Sequence, residues 1–190
     1  MNGTKSGVIL YGPPAAGKDT VTRALTELHR RYGQFARLKV GSGNSTGYRM
    51  GTERQLRELE AAGGVIYANS RYGNVYVVDR PGLDAAFEVG VPVVHLGQVD
   101  GVRDVVDSYA ADWTTVLLWC PLEVTAQRSA DRGDRDTAAR LTAWQATRDD
   151  LDAHSDMVWD LTVDTVATPP AESARLIDEL LVQRAGAATV

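Results

Sequence analysis

The sequence predicts an α/β fold in which helices surround a mostly parallel central sheet. Helical and strand-like patterns alternate along the whole chain, as is typical of that architecture. The chain also opens with an apolar run, a glycine-rich turn and a helical pattern, which together predict a strand–loop–helix unit. No internal repeat or linker divides the 190 residues, so we expect one domain over residues 1–190.

Each element follows from local patterns of apolar, glycine and proline residues. Apolar runs predict strands at 8–10, 35–40, 65–67, 75–78, 91–96, 115–120 and 158–163. Helical spacing predicts helices at 17–32, 53–62, 81–88, 102–110, 121–129, 137–153 and 170–184. Asp79 before Pro81 is a helix cap, residues 41–47 form a polar loop, and residues 185–190 are a frayed tail.

Residues 12–18 read GPPAAGK directly after the first predicted strand. Gly12 and Gly17 let the backbone curl so that successive N–H groups point inward, and Lys18 adds a positive charge. The following helix contributes the partial positive charge of its N-terminus, so a polyphosphate is the natural ligand of this turn. The spacing G-x-x-x-x-G-K is that of a P-loop. The simpler alternative is a glycine-rich turn with an exposed lysine.

The turn predicts a nucleoside-triphosphate site that takes ATP and Mg²⁺. Asp19 stands where a P-loop usually has Ser or Thr, whose hydroxyl binds the metal. Because Mg²⁺ prefers oxygen ligands and keeps several waters, the Asp19 carboxylate can bind it directly or through water. Thr20 is the alternative contact to the metal. The candidate nucleotide-binding residues are Gly12, Pro13, Ala15, Ala16, Gly17, Lys18, Asp19 and Thr20.

Four arginines cluster around a glycine in the second half of the chain: Arg128, Arg132, Arg135 and Arg140. A charge run of this kind is most often a solvated surface with local ion pairs. Beside a phosphate-binding turn it favours a closing lid, because phosphoryl transfer needs cations around the transferred group. Lys18 and this lid are therefore candidates for catalysis.

Composition excludes several classes of function. The net charge of −5 argues against a nucleic-acid surface. Cys120 is the single cysteine, so the chain has no intramolecular disulfide and fits a reducing compartment. No stretch approaches the ~20 apolar residues that span a bilayer. We expect a cytoplasmic protein that acts on a small molecule, with no nucleic-acid or membrane partner; a homodimer is compatible with these features.

Three segments of the chain resemble guanylate kinases. They are GPPAAGKDT at the start, YRMGTERQLRELEAAGGVIYANSRYGNVY in the middle, and PLEVTAQRSADRGDRDTAARL in the second half. The resemblance implies a P-loop three-layer sandwich, with an acceptor-binding region at about 36–80 and a helical lid at about 128–140. In that family the tyrosines corresponding to Tyr48 and Tyr76 contact the phosphate of the acceptor. The resemblance also implies the catalytic arginines of the lid, which are Arg128, Arg132 and Arg140.

The chain departs from that family at the residues that would read guanine. Tyr67 stands where the family has a base-reading glutamate, and Gln98 stands where it has a second acid. A buried polar site discriminates poorly once its partners change, so we do not expect GMP to be the acceptor. The family's T-T-R-x-P-R clamp is replaced by a shorter loop after Lys39. The P-loop of this chain ends in G-K-D, as it does in the ribose 1,5-bisphosphate kinase branch of the family. The segment HLGQVDG of this chain does not match the segment that follows the fourth strand in that branch.

The candidate acceptor-binding residues are Lys39, Tyr48, Arg49, Tyr67, Tyr76 and Gln98. Arg37 is a further candidate, and a solvated surface role is an open alternative for both arginines. Without the resemblance, the three tyrosines would be read as half-buried aromatic residues of strands. His95 lies on a buried strand, where a histidine is more often part of the core than a base.

These observations predict an ATP-dependent kinase that transfers the γ-phosphoryl group to a small phosphorylated acceptor. The acceptor is a nucleoside monophosphate or a sugar phosphate, and not GMP. One alternative is a kinase that acts on a free hydroxyl of a nucleoside or sugar. Another is a non-catalytic guanylate-kinase-like module that binds a protein partner, although such modules tend to lose the phosphate loop and the lid cations that this chain keeps.

Overall fold

In the described residues, the central sheet contains five parallel strands. They are β1 (Ser6–Tyr11), β2 (Tyr32–Gln34), β7 (Val91–Leu96), β8 (Asp112–Trp119) and β9 (Leu161–Asp164). Their order across the sheet is β2-β7-β1-β8-β9. The computed structural model describes residues 5–43, 45–71, 73–131, 133 and 137–187. β1 lies in the middle, with Leu10 in register with His95 on one side and with Val116 on the other. The carboxyl end of β1 therefore opens at the centre of the sheet edge, where α/β folds place their ligands.

Seven helices lie between or after the strands in the described part of the chain. They are α1 (Lys18–Leu28), α2 (Glu53–Ala61), α3 (Arg80–Val89), α4 (Val99–Ser108), α5 (Leu122–Asp131), α6 (Thr137–Ala153) and α7 (Pro170–Ala187). One core cluster packs α1 and α7 on one face of the sheet, through residues such as Leu25 and Ile177. A second cluster packs α3 and α4 on the other face, through Leu83 and Val102. The predicted α/β class with helices on both faces of a mostly parallel sheet is confirmed.

The described residues form a second sheet of four strands. They are β3 (Arg37–Val40), β4 (Tyr48–Gly51), β5 (Val65–Arg71) and β6 (Asn74–Asp79). Their order across the sheet is β4-β3-β6-β5. β6 pairs antiparallel with both β3 and β5, whereas β3 and β4 are parallel. This sheet lies within the region 36–80 and is called the acceptor sheet below.

Several predicted boundaries are wrong. Only residues 37–40 of the strand expected at 35–40 form a strand, β3, because the chain leaves the central sheet after Gln34 and enters the acceptor sheet at Arg37; the preceding strand β2 was predicted as the end of the first helix. Phe35 still donates its N–H to the Val93 carbonyl at 2.9 Å, so the switch falls at Ala36. The first helix ends at Leu28 rather than near Gly33, and β4 was not predicted at all.

The predicted cap at Asp79 is confirmed, whereas the frayed tail expected at 185–190 is wrong for residues 185–187, and residues 188–190 lie outside the described ranges. The Asp79 carboxylate accepts a hydrogen bond from the Gly82 N–H at 2.9 Å and caps α3, with Pro81 in the first turn. Helix α7 continues to Ala187, so residues 185–187 are helical instead of frayed. None of the helices in the described ranges has the length and apolar character needed to cross a membrane.

Candidate active site

The turn between β1 and α1 is shaped by residues with positive φ. Gly12 has φ 154°, and a Cβ there would lie 2.1 Å from the Leu118 carbonyl oxygen, so no larger residue fits. Gly17 has φ 92° and Ala15 has φ 61°, both in the left-handed region. Gly17 is also the N-cap of α1 and offers no side chain to its first N–H groups. Those donors remain available to an anion, as the P-loop prediction requires.

Lys18 lies inside this turn. Its ammonium donates to the Gly12 carbonyl at 2.6 Å and to the Pro13 carbonyl at 3.0 Å. The pKa of Lys18 is lowered to about 8, chiefly by burial. The positive charges of Arg37 and Arg71 act in the same direction as burial, and the negative charge of Asp19 acts against it. The ammonium is thus a desolvated cation held by two neutral carbonyls. An anionic oxygen is a better partner for it than either carbonyl.

Asp19 and His95 lie beside the turn. The Asp19 carboxylate is 83% exposed at the start of α1, with the imidazole Nδ1 of His95 at 3.5 Å. His95 Nε2 is hydrogen-bonded to Thr22 Oγ1 at 2.7 Å. Burial, followed by the charge of Lys18, lowers the pKa of His95 to about 4, so the imidazole is neutral near pH 7. The expectation of a hydrogen-bonded, largely buried histidine agrees with this geometry; its position next to Asp19 was not foreseen.

The oxygen donors near the turn fit Mg²⁺ as the sequence suggests. Within the described ranges, no three His, Cys, Asp or Glu side chains come together as a metal cluster. A single carboxylate such as Asp19 suits Mg²⁺, because that ion takes few protein ligands and completes its shell with phosphate oxygens and water.

A cavity of about 540 Å³ opens next to the turn. It is lined by Ala15, Ala16, Gly17, Thr20, Val21, Arg128, Asp131, Thr165, Val166, Thr168, Pro169, Pro170 and Ser173. The loop between β9 and α7 forms one wall, and α1 and α5 form the others. Its volume and largely apolar lining are those of a small-ligand pocket. Pro169, Pro170 and Ser173 were not predicted as site residues.

Arg128 connects two walls of this cavity. Its guanidinium donates to the Ala15 carbonyl at 3.0 Å and to the Thr165 carbonyl at 2.8 Å, with a further bond to Thr165 Oγ1 at 3.1 Å. Arg128 therefore ties α5 to the phosphate turn. Arg140 lies at the end of the first turn of α6, whereas Arg132 and Arg135 lie outside the described residues. The catalytic role of these arginines stays a prediction.

One face of the acceptor sheet gathers cations and aromatic rings. Lys39 is paired in register with Tyr76, and Arg37 with Tyr48, so these side chains share a face. The Tyr48 and Tyr76 rings are 5.2 Å apart. The Lys39 ammonium lies 5.7 and 5.8 Å from the centroids of these two rings. The whole Lys39 residue is only 3% exposed. The Arg37 guanidinium lies 5.9 and 5.3 Å from the same rings.

This cationic face is close to the phosphate turn. The charge of Arg37 contributes to the lowered pKa values of both Lys18 and His95, and it acts on Tyr67 as well. Arg71, at the end of β5, also acts on Lys18. Since electrostatic influence declines with distance, these effects indicate that Arg37 lies within electrostatic range of the phosphate turn. Sequence reasoning named Arg37 as a candidate and left its role open.

Arg49 does not join the cationic face. As the neighbour of Tyr48 on β4, it points to the opposite side of the sheet. Its Nε donates to the Ala36 carbonyl at 2.8 Å, and its Nη2 forms a short ion pair with Asp79. The same Asp79 carboxylate caps α3. The structure thus places Arg49 in a contact between β4 and the start of α3, and its role in acceptor binding stays a prediction.

Tyr67 and Gln98 are brought together from distant parts of the sequence. The Tyr67 hydroxyl donates to Gln98 Oε1 at 2.8 Å. Burial raises the pKa of Tyr67 to about 12, so the phenol stays protonated and is a donor. The Tyr67 ring packs against Gly101, where a Cβ would lie 2.7 Å from it. These two predicted acceptor residues form a single polar contact between β5 and the start of α4.

A buried carboxylate that the sequence did not single out organises the same region. Asp150 on α6 accepts hydrogen bonds from the Tyr11 hydroxyl at 2.7 Å and from the Val99 N–H at 2.8 Å. It therefore caps α4 from another helix, since the N-cap Gln98 forms no side-chain cap. The partners are separated by 139 and 51 residues, and no local pattern marks such a contact.

Comparisons with known proteins agree with this geometry. A family model described as "Chloramphenicol phosphotransferase-like protein" matches residues 6–182. A search among curated proteins gave no match.

Solved structures share the fold at low sequence identity. A guanylate kinase from Anaplasma phagocytophilum superposes with a TM-score of 0.65 at 15% identity, over 95% of this chain and 87% of that one. A gluconokinase from Sinorhizobium meliloti 1021 gives 0.54 at 19% identity, over 98% and 97%. A shikimate kinase from Acinetobacter baumannii, in complex with shikimate, gives 0.50 at 18% identity, over 95% and 94%.

Proposed function

Because the chain belongs to the chloramphenicol phosphotransferase-like family of P-loop kinases, we propose that it transfers the γ-phosphoryl group of ATP to a small acceptor that carries an anionic group. The observation that carries this proposal is the cationic face of the acceptor sheet. Arg37 and Lys39 lie there over two tyrosine rings, and the charge of Arg37 reaches Lys18. Lys18 follows the central sheet, and Arg37 and Lys39 lie on the acceptor sheet. These two sets of cations would bind two anionic substrates, which would react between them.

On the donor side, the proposal assigns each residue to a physical task. The N–H groups at the start of α1 and the Lys18 ammonium would bind phosphate oxygens, and Asp19 would hold Mg²⁺ directly or through water. Bound Mg²⁺ supplies Lewis-acid neutralisation of phosphate charge. The 540 Å³ cavity beside Arg128 would take the nucleoside, whose base could lie against Pro169 and Pro170.

On the acceptor side, Arg37 and Lys39 would neutralise the anionic group, and the Tyr48 and Tyr76 hydroxyls would fix its orientation. Transfer itself needs little covalent help from protein, because the transition state of phosphoryl transfer is loose. Positioning and charge neutralisation by these groups therefore carry the reaction. The arginines of α5 and α6 would exclude water and so suppress hydrolysis of ATP.

A second candidate is transfer to a free hydroxyl of an uncharged small molecule. The description of the matching family favours it, because chloramphenicol carries hydroxyl groups and no phosphate. The cationic face favours the anionic acceptor, since the positive charges of Arg37 and Lys39 lie beside the same two tyrosine rings and would attract an anion.

The two candidates are separated by an acceptor screen. ADP release is measured with phosphorylated sugars, nucleoside monophosphates, their unphosphorylated analogues and chloramphenicol, using the wild type and Arg37→Met. The anionic acceptor predicts turnover of phosphorylated compounds only, and a rise of about tenfold or more in acceptor KM for Arg37→Met with little change in KM for ATP. Arg57→Met, on the exposed face of α2, is the matched control. Turnover of uncharged compounds that Arg37→Met leaves intact would contradict the proposal.

A further inference from the structure

The acceptor sheet carries a polar group that the proposed mechanism does not use. Asn69 on β5 is paired in register with Tyr76 on β6, so its side chain lies on the cationic face. Its Oδ1 atom is buried and accepts no hydrogen bond from the described residues. Buried side-chain oxygens in native proteins almost always have a donor, and an exception indicates a missing partner. A ligand on this face would supply that donor.

Tyr67 limits the space at the α4 end of the same face. Residue 67 is two positions before Asn69 on β5 and is 9% exposed. Its ring fills the gap to α4, where it packs on Gly101, and its hydroxyl reaches Gln98 at 2.8 Å. The contact between β5 and α4 is therefore made by a large aromatic side chain. This ring leaves less room for the part of an acceptor that would extend from the cationic face toward α4.

The polar groups around this region have a characteristic chemistry. Asn69 Oδ1 requires a donor, whereas the Gln98 amide has its Oε1 engaged by Tyr67 and so presents its Nε2 donors. A hydroxyl group both donates and accepts, so adjacent hydroxyls satisfy such a mixed set. The donor edge of guanine instead requires a pair of acceptors, and here one of the two candidate acceptors is already used.

We infer that the acceptor is short and rich in hydroxyl groups, a sugar or polyol that bears an anionic group, with Asn69 as a specificity-determining residue. The inference rests on the proposed function and deepens it. The anion lies against Arg37 and Lys39, and hydroxyls of the body bond to the Asn69 and Gln98 amides. The Tyr67 ring at the α4 end of this face disfavours the longer body of a nucleoside monophosphate.

The test compares acceptors and variants. ADP release is measured with pentose, hexose and polyol phosphates and with AMP, CMP, UMP and GMP, and the preferred acceptor is then tested in deoxy forms. Asn69→Ala should raise KM for the preferred acceptor about tenfold and leave KM for ATP unchanged. Ser70→Ala, next on the strand but on the opposite face, should leave both values unchanged. With the deoxy form that lacks the hydroxyl bound by Asn69, wild type and Asn69→Ala should become equal.

The results separate this inference from the kinase proposal. Thermal stabilisation by Mg-ATP is recorded in parallel for every variant. If Mg-ATP stabilises the protein but nucleoside monophosphates are preferred, or no sugar or polyol phosphate is turned over, the inference is overturned and the kinase assignment stands. Equal acceptor KM values for Asn69→Ala and Ser70→Ala would also overturn it. Absence of any Mg-ATP binding would instead overturn the proposed function.

Discussion

Lys18 shows how one residue couples fold and chemistry. Its ammonium donates to the Gly12 and Pro13 carbonyls inside a turn that requires glycine at position 12. Burial lowers the pKa of Lys18 to about 8. A desolvated cation of this kind binds phosphate strongly, because little water has to be removed when the anion arrives. The same burial makes its charge sensitive to pH.

Nucleotide affinity should therefore fall as the pH rises above about 8. Phosphate favours the charged ammonium, so the pKa of Lys18 is higher in the complex than in the free protein, whose pKa is about 8. Below pH 8 both states are protonated and affinity is constant; above it, binding takes up a proton and affinity drops by up to about tenfold per pH unit. Titration of Mg-ADP between pH 7 and 9.5 measures this.

The control for this pH dependence is Lys18→Arg. Its guanidinium remains charged throughout the range, so its weaker affinity should be nearly flat. A parallel decline in wild type and Lys18→Arg would assign the effect to another group. A flat profile for the wild type would contradict the role given to Lys18.

Single residues also show where sequence reasoning reaches its limit. Spacing alone located Gly12, Gly17 and Lys18, because a phosphate turn is local in sequence. It named both Arg37 and Arg49 as acceptor candidates and could not tell that Arg37 lies on the cationic face while Arg49 pairs with Asp79. Neighbouring residues on a strand point to opposite faces, and only the register with other strands decides which face binds a ligand.

At the scale of elements, one long-range contact supports the edge of the central sheet. Asp150 joins α6 to Tyr11 at the end of β1 and to the first N–H of α4. Tyr11 ends the strand that leads into the phosphate turn. The side chain of Asp150 is 18% exposed and is also within 3.2 Å of His154. Loss of this carboxylate leaves the Val99 N–H without its partner and the Tyr11 hydroxyl with only the Thr147 carbonyl at 3.3 Å.

Asp150→Ala should lower the free energy of unfolding by roughly 2–3 kcal/mol, since hydrogen bonds to a charged, largely buried group are among the stronger ones. Urea unfolding followed by circular dichroism measures the change. Asp149→Ala removes an exposed carboxylate from the same helix and should change stability by less than about 0.5 kcal/mol. Equal effects of the two substitutions would show that the Asp150 contacts contribute nothing specific.

The elements that the sequence predicted well are those with a strong local signal. The helices α2, α3 and α6 and the buried strand β7 follow apolar periodicity, caps and glycine stops. β2 was missed and β3 was predicted to begin at Phe35, because a local pattern does not reveal where the chain passes from one sheet to another. β4 was missed because its pairing partner β3, and not its own composition, makes it a strand.

At the scale of the whole molecule, the resemblance to guanylate kinases is confirmed as far as the P-loop kinase fold. The matching family model covers nearly the whole chain and favours a phosphotransferase over a non-catalytic binding module. The guanylate-kinase-like branch, the acceptor and the site roles stay predictions. They depend on side-chain chemistry between two sheets, which fold similarity at 15–19% identity does not determine.

The central claim is that the Lys18 turn binds the phosphates of ATP, and calorimetric titration of Mg-ATP into wild type and Lys18→Ala tests it most directly. The account predicts one site on the wild type and a loss of affinity of at least about a hundredfold in Lys18→Ala, because a charge-assisted contact in a desolvated turn disappears. Circular dichroism and the melting temperature of the unliganded variant should match the wild type. Affinities equal within a factor of two, with both proteins folded, would contradict the account.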